Sequence, residues 1–165
     1  ANGMCDYYNR TLSAAASYPG DVREPSYGGL PGGVAYDFWR FDELDEASFG
    51  QYAVDEYDAE FERIIEDTAE PFFVYYAQQL VHVPVEAPPS AAPSCAGIAG
   101  GAARETLCSM VARLDDSVGA AVKALRPVWD RTAFLFVSDN GGMTDIGVNL
   151  GSASSNFPHR GGKTT

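Results

Sequence analysis

Thr132-Ala133-Phe134-Leu135-Phe136-Val137-Ser138-Asp139-Asn140-Gly141-Gly142 runs from an apolar stretch straight into a polar, oxygen-rich turn. Residues 133–137 lack apolar–polar alternation, which predicts a strand covered on both faces in a parallel sheet. Ligands of such sheets collect beyond the carboxyl ends of the strands. Asp139 and Asn140 stand at that point with a carboxylate and an amide carbonyl, adjacent hard oxygens that suit Ca²⁺ or Mg²⁺. Gly141 and Gly142 permit a return at positive φ. A strand closed by a plain Asn-Gly turn explains the same residues without a ligand.

A second apolar run, Phe72-Phe73-Val74-Tyr75-Tyr76-Ala77, follows Pro71 and also ends in polar residues, Gln78-Gln79. His82 comes just beyond it, before Val83-Pro84, where the proline holds the preceding residue extended. Its ring is therefore placed to enter the crevice of Asp139 and Asn140, although a lone histidine also serves as an ordinary hydrogen-bonded packing residue. Between and before these runs lie two helical patterns. Ser48 with Gln51 three residues on matches a capping box, and Ala53, Tyr57, Phe61, Ile64 and Ile65 share one face. The acidic residues from Asp55 to Glu62 take the other face and read as solvated. Arg104 to Arg126 carries the longer stripe, Leu107, Met110, Val111, Leu114, Val118, Ala121, Val122 and Leu125, with Asp115 and Asp116 on its surface and Pro127 at its end. Helix, strand, helix, strand with such connections predicts crossover units and a parallel sheet flanked by helices.

The 165 residues suit about one domain, and 45% hydrophobic content is enough for a core. Residues 1–47 are rich in turn formers and residues 48–165 hold the crossover helices and strands. A net charge of -12 argues against nucleic acid as a partner. The sequence has no apolar run of about 18 residues for a membrane span and no visible signal peptide. Of three cysteines, Cys95 and Cys108 bracket a Gly/Ala-rich loop that a disulfide would close, and a buried free thiol is the alternative for each. Cys5 is then left over. Asn9-Arg10-Thr11 is an N-glycosylation sequon, a further hint of secretion.

Four blocks together resemble the sulfatases, and within them the arylsulfatase B-like (N-acetylgalactosamine-4-sulfatase-like) enzymes. They are Pro71 to Ala77 leading to Val81-His82-Val83-Pro84, the helix Met110 to Gly119, the strand end Ser138-Asp139-Asn140-Gly141-Gly142, and Asn156-Phe157-Pro158-His159-Arg160-Gly161-Gly162-Lys163. Their order and spacing carry the resemblance over about residues 48 to 163. It implies an alkaline-phosphatase-like three-layer α/β/α fold with a mostly parallel sheet, incomplete here, and hydrolysis of sulfate esters of sugars or aryl groups. It also implies Ca²⁺ held by Asp139 and Asn140, His82 and Lys163 as catalytic groups on the sulfate and ester oxygen, and a location in the secretory pathway, extracellular or lysosome-like. Arg160 is expected to support the loop presenting Lys163, and His159 is left out of the mechanism.

The family's formylglycine nucleophile arises in a C/S-x-P-x-R motif, which none of Cys5, Cys95 and Cys108 satisfies. The chain is therefore expected to be the middle of a sulfatase catalytic domain, as a fragment, a truncated gene model or a degenerate relative. Two other classes remain open at this point. One is a phosphatase or phosphodiesterase of the same fold superfamily, for which two histidines supply few zinc ligands. The other is a non-catalytic calcium-binding or interaction module.

Overall fold

The computed structural model describes residues 38–48, 50–82, 85–88, 93–142 and 154–163. The sequon at Asn9, the thiol of Cys5 and the aromatic residues Tyr7, Tyr8 and Tyr36 lie outside the described residues. In chain order come an antiparallel hairpin of β1 (Trp39–Arg40) and β2 (Glu43–Leu44), helix α1 (Ala53–Asp67) and helix α2 (Ala102–Ala124), with 3₁₀ turns at Glu46–Ser48, Pro93–Cys95 and Arg126–Arg131. Among the described residues no helix is long and apolar enough to cross a membrane.

The start of α1 differs from the sequence expectation. Ser48 lies in the preceding 3₁₀ turn, where its hydroxyl donates to the Asp45 carbonyl at 3.1 Å, and the N-cap position falls to Tyr52 without a side-chain cap. Tyr52 is instead fixed from the side, buried, with its hydroxyl on the Glu86 carbonyl at 2.9 Å. A tertiary contact thus sets the helix entry in place of a local capping box.

The two helices pack along a seam with an apolar cluster at each end and a polar layer between. One cluster joins Tyr52, Ala53 and Val54 of the α1 start to Met110 of α2; the other joins Phe61 to Ala121 and Leu125. Asp58 sits on the same α1 stripe, four residues after Val54 and three before Phe61, and Ser117 sits between Met110 and Ala121. Asp58 is therefore not on the solvated face that the acidic run suggests: its side chain is only 12% exposed. It accepts from Arg113 at 2.7 Å, from the Tyr76 hydroxyl at 2.6 Å and from the buried Ser117 hydroxyl. Arg113 also reaches exposed Asp55 at 2.6 Å. Burial works against the charge on Arg113, but these two carboxylates outweigh it and raise its pKa. Burial first, then the bond to Asp58, pushes the Tyr76 phenol up, so it stays a donor.

Residues 72–77 and 132–138 form neither helix nor strand and lie against the second cluster, through Phe72, Val74 and Tyr76 from one and Phe134 from the other. Phe61 and Tyr76 stack with ring centroids 5.1 Å apart. The expectation that both runs are strands paired in a parallel sheet and covered on both faces is not met among the described residues. Among the described residues no backbone hydrogen bond joins them, and the β1–β2 hairpin is the sheet that forms. Burial alternates along the first run, leaving Phe73 89% and Tyr75 82% exposed, and Leu135 is 87% exposed in the second. The physical reason is that the helices cover one face, and nothing among the described residues covers the other.

Cys95 and Cys108 are joined in a disulfide, Cα atoms 5.7 Å apart, which fastens the glycine-rich loop to the first turns of α2. Closing a loop of this length is worth about 3 kcal/mol through the unfolded chain. At the other side of α1, Glu60 holds Arg63 at 2.6 Å and Arg40 of β1 at 2.7 Å. The Arg63 hydrogen bonds, aided by Arg40 and opposed by partial burial, lower the Glu60 carboxyl to about 2, tying the hairpin to the helix.

Removing the Asp58 carboxylate leaves Arg113, Ser117 and Tyr76 short of an acceptor in a confined seam, so Asp58→Ala is expected to cost about 3 kcal/mol. Asp55→Ala, on an exposed partner of the same arginine, should cost under about 1 kcal/mol. Urea midpoints at unchanged slope measure both, and equal losses for the two would contradict a buried layer centred on Asp58.

Candidate functional site

Three loops that are distant in sequence meet beyond the ends of these two runs. The first is the turn after residues 72–77. Gln78 donates from its amide to the Tyr76 hydroxyl at 3.1 Å and to Ser117 at 2.9 Å, while its carbonyl oxygen accepts from the backbone of Gln79 at 2.8 Å and Leu80 at 3.4 Å. The turn closes when the His82 backbone donates to the Gln79 carbonyl at 3.0 Å. His82 is left exposed at its tip.

The second loop is Ser138 to Gly142. The Ser138 hydroxyl donates to the Asn140 carbonyl at 2.6 Å, and the Asn140 amide donates to Asp139 Oδ1 at 2.8 Å. Both side chains are exposed. The third is residues 154–163. Its Asn156 grips the second loop with both ends of one amide: Oδ1 accepts from the Gly142 backbone at 2.7 Å and Nδ2 donates to the Gly142 carbonyl at 2.7 Å. The Lys163 backbone adds a bond to the same carbonyl at 3.3 Å. Gly141 is in a tight place, since a Cβ there would meet Asn156 Oδ1 at 3.0 Å and Gly162 Cα at 3.3 Å and would have to push them back. The glycines thus permit two loops to touch backbone to backbone.

The consequence for chemistry is the meeting of Lys163 Nζ and His82 Nε2 at 3.1 Å, across 81 positions of sequence. An ammonium group has donors and no acceptor, so the lysine donates and the imidazole nitrogen accepts. Asp139 and Asn140 stand on the loop that carries the Lys163 backbone, and Asp139 forms no ion pair with Lys163. The two residues present a carboxylate and an amide carbonyl, a donor set that fits a hard cation but fills only part of the six to eight positions Ca²⁺ takes. Among the described residues no cluster of three or more His, Cys, Asp or Glu side chains gathers as a metal site.

One residue departs from the role the sequence suggested. Arg160, expected to brace the Lys163 loop, is exposed and its side chain makes no hydrogen bond or ion pair among the described residues. Asn156 braces it instead. His159 is exposed and contributes its backbone, donating to the Asn156 carbonyl at 2.7 Å. Gln78 and Asn156 escape a reading by sequence because each acts through contacts made only in the fold. The available hint is that each is an amide next to a loop holding a charged or titratable residue.

The family model described as Sulfatase matches residues 4–165, and the chain belongs to the sulfatase family. Arylsulfatase J of Mus musculus is 29% identical over an alignment covering 82% of this chain and 22% of that protein. The chain thus spans about a fifth of the length of the curated relative it matches. No solved structure matches.

If Asn156 is what joins the second and third loops, Asn156→Ala should speed hydrogen exchange at the Gly142 amide by about fivefold, the equivalent of one ordinary hydrogen bond of about 1 kcal/mol. Asn156→Asp keeps the acceptor for that amide and should retain most of the protection. Exchange followed by NMR decides, and unchanged exchange in Asn156→Ala would contradict the assignment.

Proposed function

We propose that this chain carries part of the active site of an enzyme that hydrolyses sulfate esters, of sulfated sugars or of aryl groups. The observation that carries the reading is the contact of Lys163 with His82 next to the Asp139-Asn140 loop, in a chain of sulfatase family. Lys163 offsets the sulfate charge and orients the imidazole ring. His82 protonates the leaving oxygen, where negative charge builds as the ester bond breaks. Asp139 and Asn140 would hold Ca²⁺, which bound there would polarise the sulfate oxygens. Formylglycine has no source among these residues, because the chain lacks the C/S-x-P-x-R motif, so the covalent step belongs to another part of the polypeptide. In the whole domain residues 72–77 and 132–138 become strands of the mostly parallel sheet of an alkaline-phosphatase-like fold. The disulfide and the sequon at Asn9 support passage through the secretory pathway.

In a polypeptide that joins this chain to a C/S-x-P-x-R segment of the same transcript, His82→Ala and Lys163→Ala should each lower kcat/KM for an aryl sulfate by about a hundred- to ten-thousand-fold. Asp115→Asn, on the outer face of α2, should leave it unchanged. The 165-residue chain alone should show no turnover above background, since a site without its nucleophile loses nearly all activity. Turnover by the short chain that disappears in His82→Ala would refute this division of labour.

A further inference from the structure

The polar layer in the helix seam does not stop at the helices. Asp58 holds Ser117 and Tyr76, and both hydroxyls are taken up by the amide of Gln78. The other end of the same amide accepts the backbone N–H groups of Gln79 and Leu80, and Gln79 in turn accepts the N–H of His82. Gln78 therefore spans from Ser117, 2% exposed inside the α1–α2 seam, to the turn whose exposed last residue, His82, meets Lys163. An exposed histidine on a short turn has many orientations open to it, and fixing one requires contacts on the turn itself.

We propose that Gln78 is a positioning residue for His82, transmitting the fixed geometry of the helix seam to the turn that presents the imidazole to Lys163. What His82 does there rests on the sulfatase reading above, whereas the positioning is a matter of contacts. Ser117 and Asp58 act behind Gln78 as its anchorage. Neither amide end is replaceable by an apolar side chain, because one end holds hydroxyls and the other holds amide protons.

The test is nitrogen NMR of the imidazole in the 165-residue chain, with His159→Gln present so that His82 is the one histidine ring observed. The displacement of the His82 Nε2 resonance caused by Lys163→Ala reports the pairing of the two residues. With Gln78 present that displacement should be large. In Gln78→Met it should be lost, and in Gln78→Glu, which keeps an acceptor for the Gln79 and Leu80 amides but has no donor for the Tyr76 and Ser117 hydroxyls, it should be reduced. Far-UV circular dichroism monitors the helices. Where Gln78→Met lowers helix content, Ser117→Ala decides, since it releases the Gln78 amide from outside the turn and should reduce the same displacement. Survival of the full displacement in Gln78→Met, or in Ser117→Ala where the former does not fold, overturns the proposal. Failure of the sulfatase reading would show separately, as inorganic sulfate binding no more weakly to His82→Ala than to the native chain, with the imidazole results unchanged.

Discussion

The Asp58 carboxylate, set inside the seam of two helices, is the constraint on which the remainder of this structure depends. A carboxylate so nearly enclosed is tolerable only where its lone pairs are engaged, and here an arginine, a serine and a tyrosine engage them. Two of the partners, Arg113 and Ser117, come from α2 and the third, Tyr76, from the run 72–77, so satisfying one charge fixes α2 against α1 and the run against both. Apolar clusters on either side supply most of the burial, but a purely apolar seam would allow the helices to slide. The polar layer defines a single register.

From that layer the structure extends outward to the exposed loops through amides. Gln78 couples the seam to the His82 turn, and Asn156 couples the Asp139 loop to the Lys163 loop. Side-chain amides suit this task because each offers a donor and an acceptor in one rigid plane. The result is a meeting of a lysine and a histidine 81 positions apart in sequence while the surfaces around them remain open. The bare faces of Phe73, Tyr75 and Leu135 belong to the same geometry: the helices cover one side of these runs, and nothing among the described residues covers the other.

Local order was legible in the sequence and distant order was not. The α2 stripe predicts residues 104–126 and the helix occupies Ala102–Ala124, because a repeating apolar face needs no partner to be recognised. The same reasoning assigned Asp58 to water, since a count of charges in an acidic run overlooks that one of them falls between Val54 and Phe61. Ser48 fits a capping box by spacing alone, yet its hydroxyl is used by Asp45. The apolar runs were visible, but strand pairing is made between distant segments and leaves no local mark. His82 and Lys163 were legible as a pair through family resemblance, whereas Asn156, whose contacts cross 14 positions, and Gln78 emerge only from the assembled loops.

We propose that His82, Lys163 and the Asp139 loop form one anion site rather than three neighbouring features. Titration of the 165-residue chain with inorganic sulfate in the presence of Ca²⁺, followed by NMR at the His82 ring, the Lys163 ammonium and the Gly142 amide, tests it most directly. For a single site the three signals move together with one dissociation constant, and Asp139→Ala weakens all three alike. Signals that move with separate constants, or a His82 ring that ignores sulfate while the others respond, would contradict it.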